Sequence, residues 1–369
     1  MNRFTLTQTH NYSHRSRYVV ELLDQQDVML SKGTIHLMQT AFGDEFLKTL
    51  SFSGVVTPMQ YRRQGHVREI FDYAWQWGIE HEAVVSLLHP FSFSYYQKFG
   101  YGKVADHLIV RCPIRMLEFV PRCGDFEKFE ESEANWQQLY DLHNEFCRGR
   151  LLTMLRCDPQ FYKGKEIYVY REGGQPAGYI AYTTEKKLMV NHYEEGLMTV
   201  HEIVYKTPSA LKAILGFIRM YDGELEDVEF ANIAMCPEVE LQLRHYTHTR
   251  YRLLPDLMAR VLDTEKMLLA HTYPQQEGAF RIRVEDRLPT VQGSFLVEYG
   301  GGSCQVKRLG ENAAVDMTVD SPSLSRLLYG YDAVTPQQAA YCDGISIDGN
   351  ADDFFRAFGK RPAGMFEHF

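Results

Sequence analysis

Residues 55–102 constrain this chain more than any other stretch. They read as a strand end, a basic turn with one glycine, an amphipathic helix, a second strand and an aromatic segment. The first strand covers residues 50–57. The turn is Tyr61, Arg62, Arg63, Gln64, Gly65 and His66. The helix that starts there carries Val67, Ile70, Phe71, Ala74 and Trp77, which predicts one buried stripe. Val84, Val85, Ser86, Leu87 and Leu88 form a short apolar run closed by Pro90, as expected of a buried strand.

A helix N-terminus offers free N–H groups and a partial positive charge. Glycine at that point lets a ligand approach the backbone closely, and Arg62 and Arg63 add charge. The combination suits an anion such as a pyrophosphate. No Gly-Lys-Ser/Thr follows, so this is not a P-loop, and the further glycines of a dinucleotide fingerprint are missing. Taken by itself, the turn reads equally as a solvated basic turn ahead of a helix.

Arg62, Gly65 and Val67 form an Arg-x-x-Gly-x-Val pattern after a strand ending in Val55, Val56 and Thr57. This resembles the acetyl-CoA loop of the GNAT acetyltransferases. The segment Tyr96, Gln97, Lys98, Phe99, Gly100, Tyr101, Gly102 is narrower. It resembles the enhanced-intracellular-survival (Eis) branch of that superfamily. There a GNAT domain is followed by a second GNAT-like domain and a sterol-carrier-like domain. The resemblance covers nearly the whole chain. It implies a mixed fold, α+β / α/β: tandem GNAT (acyl-CoA N-acyltransferase) domains followed by a sterol-carrier-like α+β domain. The expected divisions are residues 1–120 for the first GNAT domain, 121–255 for a degenerate copy and 256–369 for the sterol-carrier-like domain. Pro121, Gly124 and the acidic run after them mark the first boundary.

A chain of 369 residues has room for two or three domains. With 45% hydrophobic and 24% charged residues it can bury a large core. The net charge of −9 argues against a nucleic-acid binder and suits a cationic substrate. The 7 cysteines are odd in number and none sit at C-x-x-C spacing, which predicts reduced thiols and no zinc site. There is no signal-peptide core and no apolar run of membrane length, so the expectation is a soluble cytoplasmic protein.

Residues 1–16 are polar and without periodicity, and read as a short arm. Strands follow at 18–23, 28–40 and 46–57. The family's first domain begins with one or two helices, and so short an arm cannot hold two. Either the substrate-side helices are shortened or the chain begins further upstream. The second segment predicts a helix at 136–146, strands at 166–170, 177–182, 199–205 and 228–230, and a helix opening after Pro208. This repeats the order of the first segment. Tyr205, Lys206, Thr207, Pro208 and Ser209 stand where the basic turn would be, so no cofactor is expected in the copy. The third segment predicts strands at 279–284, 293–299, 304–308 and 315–319. A helix is predicted at 321–328, and two short ones after Thr335 and Asn350.

The resemblance also implies roles. The backbone of Val55, Val56 and Thr57 pairs with the pantetheine arm of acetyl-CoA, the acetyl donor. Arg63, Gln64, Gly65, His66, Val67 and Arg68 hold the pyrophosphate, and Phe91 and Ser92 lie beside the arm. Pro58 comes one residue before the family's proline position, here Met59, which is expected to displace the strand end. Tyr96 matches the acid that protonates the leaving thiolate; a phenol with its ordinary pKa of about 10 is protonated at neutral pH. By composition alone, Tyr96 belongs to an aromatic cluster with Tyr95, Phe99 and Tyr101 that reads as core.

The chain ends Phe366, Glu367, His368, Phe369. A chain end is ordinarily frayed. The resemblance instead implies that the Phe369 α-carboxylate enters the first domain as general base, with His368 beside it. The pairs His10/His14 and His245/His248 have no companions at ligand spacing, so no metal is expected. The function implied is an acetyl-CoA-dependent N-acetyltransferase acting by direct attack. Its acceptors are primary amines of a cationic molecule, aminoglycoside-like or a protein lysine. No nucleic-acid or membrane partner is expected, and the family implies a homo-oligomer, a hexamer. The alternative is a non-catalytic lipid- or partner-binding protein with a vestigial GNAT domain.

Overall fold

The computed structural model describes residues 2–12, 14–188, 194–244, 246–332, 335–367 and 369. His245 and His368 lie outside the described residues. The first unit opens with four antiparallel strands: β1 (Arg3–Tyr12), β2 (Arg15–Leu23), β3 (Met29–Gly43) and β4 (Glu45–Val56). The polar arm expected at residues 1–16 is therefore largely strand. It pairs with β2 from Arg3↔Leu23 to Tyr12↔Arg15. Its exposure explains the missing alternation, since an edge strand with little core contact needs none. Ahead of β2, where the family carries substrate-side helices, this chain has the strand β1 paired with β2.

β4 leads through the basic turn to α1 (His66–Glu80), which crosses back to β5 (Val85–Leu88), parallel to β4. Ile70, Phe71, Ala74 and Trp75 are buried on α1. Trp75, not Trp77, completes the stripe. Its indole donates to the Tyr101 hydroxyl at 3.2 Å, and Tyr101 bonds Ser86 at 2.6 Å. Trp77 is half-buried, edge-on to Tyr18. A five-residue helix, α2 (Phe93–Gln97), and the strand β6 (Gly102–Pro113) complete the unit.

The second unit contains β7 (Phe126–Lys128), α3 (Glu133–Cys147), β8 (Arg150–Met154), β9 (Glu166–Glu172), β10 (Gln175–Leu188) and β11 (Glu194–Tyr205). It continues with α4 (Pro208–Ile218), β12 (Asp227–Phe230) and α5 (Pro237–Glu240). β11 and β12 are parallel around α4, as β4 and β5 are around α1. β13 (Arg250–Val261) then inserts between β5 and β6, antiparallel to both. The sheet is consequently one path, β1-β2-β3-β4-β5-β13-β6-β12-β11-β10-β9-β7, with β8 branching from β3. The boundary expected at 255/256 falls inside β13. The cause is its half-and-half pattern: the first six residues are exposed, and the last six are buried in the first unit's sheet.

The third unit has α6 (Thr264–Leu269), β14 (Gly278–Glu285), β15 (Gly293–Gly300), β16 (Ser303–Leu309), β17 (Met317–Asp320), α7 (Ser321–Leu328), α8 (Pro336–Ala339), β18 (Ile345–Ile347) and α9 (Asp352–Ala357). Its sheet runs β16-β15-β14-β17-β18. α7 starts where its Pro and capping residue direct it: Asp320 accepts the Ser323 N–H at 2.9 Å, with Pro322 in the first turn. Its core is continuous with the lower half of the first unit, where Met38, Phe42 and Val104 join Leu324, Phe354 and Tyr329.

Gly100 and Gly102 allow that union. A Cβ on Gly102 would fall 2.0 Å from the Pro322 carbonyl oxygen, and Gly100, with φ +84, packs on the Arg260 guanidinium. Arg260 is 1% exposed, pairs with Asp286 at 2.7 Å, and donates to the Phe99 carbonyl at 2.8 Å. Removing either charge would leave the other buried and unpaired, at a cost of about 3–5 kcal/mol.

Candidate active site

The path of β4 shapes the site. It pairs with β5 only over Thr49–Phe52. Its register with β3 then slips between Lys32↔Val56 and Thr34↔Ser53, so two residues, Gly54 and Val55, oppose Gly33 alone. Such a bulge kinks and twists a strand, and Gly54, with φ +56, accommodates it. Beyond Phe52 the strand edge faces a cleft instead of a neighbour. The early proline does not disturb this: Pro58 simply starts a single 3-10 turn, Met59–Tyr61, one residue past Thr57.

That cleft encloses about 520 Å³. Its walls include Val55, Val56, Thr57, Arg63, Gly65, His66, Val67, Arg68 and Phe91, together with Tyr61, Arg62, Tyr95, Tyr96 and Phe99. Nine of the eleven expected cofactor residues are thus brought together. Gln64 and Ser92 do not line it. The Gln64 amide turns back to the Gln60 carbonyl at 3.1 Å, and Ser92 caps α2 through the Tyr95 N–H at 3.4 Å.

The floor of the cleft is the N-terminus of α1. Helical pairing begins with the Arg68 N–H on the Gly65 carbonyl at 2.8 Å. Gly65 sits at the capping position with φ 91, offers no side-chain cap, and a Cβ there would meet open space. The Arg62 guanidinium bonds the Thr57 carbonyl at 3.1 Å, tying turn to strand. His66 is buried, with Nδ1 on Glu69 at 3.0 Å and, among the described residues, no partner for Nε2. An orphaned buried ring nitrogen beside uncapped helix amides fits a phosphate-bearing ligand such as acetyl-CoA.

Tyr96 lies on α2 at the apolar end of this cleft. It is 8% exposed and packs against Phe91 and Tyr95, with ring centroids at 5.2 Å in each case. Burial, and next the neighbouring Tyr95, push its phenol up to about 12. It holds its proton throughout the neutral range.

The C-terminal tail approaches from the far side of the second unit. The Leu151 N–H donates to the Pro362 carbonyl at 2.9 Å, and Asn232 Nδ2 donates to the Met365 carbonyl at 2.9 Å. Arg156 pairs with Glu367 of the tail and, at 2.6 Å, with Glu202. Glu202 is wholly buried and also accepts from Tyr162 at 2.9 Å and Tyr179 at 2.5 Å. Burial alone would raise this carboxyl, but Arg156 and His143 outweigh it and hold it at about 2.

The tail is therefore anchored rather than frayed, and its last ring arrives in the first unit. The Phe369 ring lies 4.7 Å from that of His89, just past β5, and 6.2 Å from that of His36 on β3. His89 Nδ1 bonds Asp256 at 2.9 Å. Sequence reasoning gave no role to Arg156, Glu202 or His89. Their partners are tens to hundreds of residues away, and no local spacing signals them.

The second unit's own helix start differs. Thr207 caps α4 by accepting the Ala210 N–H at 3.0 Å. The Thr207 hydroxyl also bonds the Glu172 carboxylate at 3.0 Å, as does that of Ser209. A carboxylate of the chain already occupies this N-terminus.

Comparison with known proteins agrees with this geometry. Residues 5–104 and 132–261 each match an acetyltransferase (GNAT) domain family, and residues 264–365 match a sterol carrier protein domain. No curated protein sequence matches. Among solved structures, Eis1 from Mycobacterium abscessus has a TM-score of 0.80 at 14% identity, covering 100% of both chains. A GCN5-related N-acetyltransferase from Anabaena variabilis has a TM-score of 0.80 at 17% identity, covering 95% of this chain and 89% of its own. A probable N-acyltransferase from Enterococcus faecalis has a TM-score of 0.76 at 18% identity, covering 97% and 90%.

The chain belongs to the GNAT acetyltransferases and is an N-acetyltransferase. It has two GNAT domains followed by a sterol carrier protein domain, in the Eis-like order. GNAT domains use acetyl-CoA. Among the described residues, no helix is long and apolar enough to cross a membrane.

Proposed function

We propose that the first GNAT domain binds acetyl-CoA in the cleft between β4 and α1 and transfers the acetyl group directly to a primary amine. The observation that carries this is the meeting, in one cleft, of an uncapped helix start, an unpaired stretch of β4 and the buried phenol of Tyr96. The backbone of Val55, Val56 and Thr57 faces the pantetheine arm. Arg63, Gly65, His66, Val67 and Arg68 surround the pyrophosphate. Gln64 and Ser92 act one step back, by shaping the turn and capping α2.

In the reaction the amine nitrogen bonds to the thioester carbonyl carbon. Its surplus proton passes to the Phe369 α-carboxylate, directly or through a water. The C–S bond breaks, and the leaving thiolate takes the Tyr96 proton. A free α-carboxylate has a pKa of about 3.5, so its strength as a base depends on desolvation around the anchored tail. Burial of Tyr96 serves the opposite need, keeping the acid protonated until it is called on.

Division of labour follows. The first domain holds the donor, the second domain holds the tail, and the tail supplies the base. A boundary near residue 120, a second one after β13, and a homo-oligomer, a hexamer by family resemblance, belong to this reading; light scattering in solution tests the assembly.

Tyr96→Phe should keep the packing and the KM for acetyl-CoA while lowering kcat about a hundredfold, the low end for loss of a general acid. Wild-type turnover by that variant in a thiol-release assay would remove Tyr96 from the mechanism. Acetyl-CoA at saturation should raise the melting temperature. No shift would count against the cleft.

A further inference from the structure

A second cleft, of about 340 Å³, opens beside the first. Ser53 of β4 lines it, two residues before Val55 enters the cofactor cleft, and Phe369 lines it from the tail. β4 therefore joins this cleft to the cofactor cleft, and Phe369 joins it to the proposed base. Its remaining charged wall is cationic. Arg15 and Arg17 reach it from β2 and His10 from β1, while His36 stands between them. Among the described residues, no Asp or Glu lines it.

Of the carboxylates nearby, Asp158 favours the Arg15 charge from a distance, without an ion pair. Asp158 accepts the Gln160 N–H at 2.9 Å, and Glu367 pairs with Arg156. Among the described residues no ion pair involves Arg15 or Arg17. The Arg15 side chain lies 3.5 Å from His36 Nδ1, and His36 Nε2 lies 3.1 Å from the Ser53 hydroxyl. Burial lowers both Arg15 and His36 from their ordinary values. His36 falls to about 3, with Arg15 and Arg17 next among the causes, and so adds no charge. Arg15 is half-buried with no carboxylate in an ion pair with it among the described residues, and a bound anion would offset that burial.

We propose, resting on the acetyltransferase reading above, that the acceptor is a small amine that also carries a carboxylate or phosphate. Its amine lies toward Phe369 and its anionic group toward Arg15 and Arg17. The planar fork of arginine suits either anion. A polycation, the class that net charge −9 suggests, would place its extra ammonium groups against two guanidiniums. Whole-chain charge does not describe a single cleft. The β1–β2 hairpin supplies this wall.

The test is thiol release from acetyl-CoA with four acceptors of equal chain length. They are an ω-amino acid, its methyl ester, an aminoalkyl phosphate and the α,ω-diamine. The better of the two anions should exceed the ester in kcat/KM by about ten- to hundredfold, the worth of one charged hydrogen-bonded contact. The comparison between those two arms distinguishes carboxylate from phosphate.

Arg15→Gln and Arg17→Gln should each collapse the anion-to-ester ratio, and Arg17→Glu should shift preference toward the diamine. Arg17 is exposed, so its variants should fold. The proposal is overturned if the diamine is the best acceptor of the wild-type protein, or if the ratio survives both substitutions. Equal loss on every acceptor would overturn it too, showing that the arginines serve the chain terminus. If all four acceptors are inert while acetyl-CoA still raises the melting temperature, the acceptor class is wrong and the donor cleft stands. If acetyl-CoA gives no shift either, both readings fail.

Discussion

α1 of the first GNAT domain and α4 of the second occupy equivalent places, each crossing between two parallel strands, yet their N-termini are chemical opposites. α1 begins at Gly65 with no side-chain cap and a cleft above it. α4 begins at Thr207, capped, with the Glu172 carboxylate hydrogen-bonded to Thr207 and Ser209. The fold makes an anion site in both places, through the same dipole and the same unpaired amides. One is left open for a ligand. The other is filled by the chain itself. The second domain's buried charge instead holds the tail, through Glu202, Arg156 and Glu367.

The contrast can be broken at its most sensitive point by extending the chain beyond Phe369 with a few Gly-Ser residues. This turns the α-carboxylate into an amide. Turnover should fall about 10²–10⁴-fold, as for loss of a general base, with acetyl-CoA affinity unchanged. Unchanged kcat would mean that the base lies elsewhere, and would return the tail to a purely structural role.

Next is Arg156→Met, which leaves Glu202 buried without its partner. We expect about 3–5 kcal/mol of lost stability by denaturant titration. Glu367→Gln keeps the Arg156–Glu202 pair, so it should lower kcat with far less loss of stability. If the two variants behaved alike in both assays, the tail would not be anchored through Arg156.

Acid should separate the halves. His36, at about 3, takes up a proton near 6.5 when unfolded but not in the fold. The stability it gives is complete above about pH 6.5 and is lost as pH falls toward 3. By pH 5 the loss is about 2 kcal/mol. Glu202, at about 2, keeps its contribution until pH drops below about 4.5. Hydrogen exchange at pH 5 should therefore loosen β2–β4 before β10–β11, and the reverse order would contradict these assignments.

The smallest effects sharpen the comparison most directly. Gly65→Ala puts a Cβ at φ 91, a strain of about 1–2 kcal/mol, and crowds the open helix start. The KM for acetyl-CoA should rise several-fold. Thr207→Ala should cost about 1 kcal/mol of stability through the lost cap and leave that KM alone. An equal effect of both on KM would make the second domain a donor site as well.

Much of this molecule was legible in its residues. Short-range periodicity placed β5, β12 and α4 closely, and Pro322 marked the first turn of α7, while its Asp320 cap came from the structure. The Arg-x-x-Gly-x-Val turn marked the cleft proposed for the donor, because glycine and charge at a helix start have a local physical meaning. β1 was missed because an exposed edge strand leaves no alternation. Trp75 was missed because the buried face of α1 runs one residue away from the stripe drawn through Trp77. The aromatic run ending in Gly102 carried two functions in one pattern. Tyr96 faces the cleft, while Gly100 and Gly102 let the third domain close on the first.

Sequence by itself determined many of the longer elements, the repeat of one domain order and the open turn before α1, since each depends on neighbours a few residues apart. Only the tertiary structure decided that β13 enters the first domain's sheet, that Arg156 clamps the tail, and that Arg15 and Arg17 face Phe369 across one cleft. Those contacts join residues separated by more than a hundred positions in the chain. Their energy comes from burial and charge pairing, which exist only once the chain has folded.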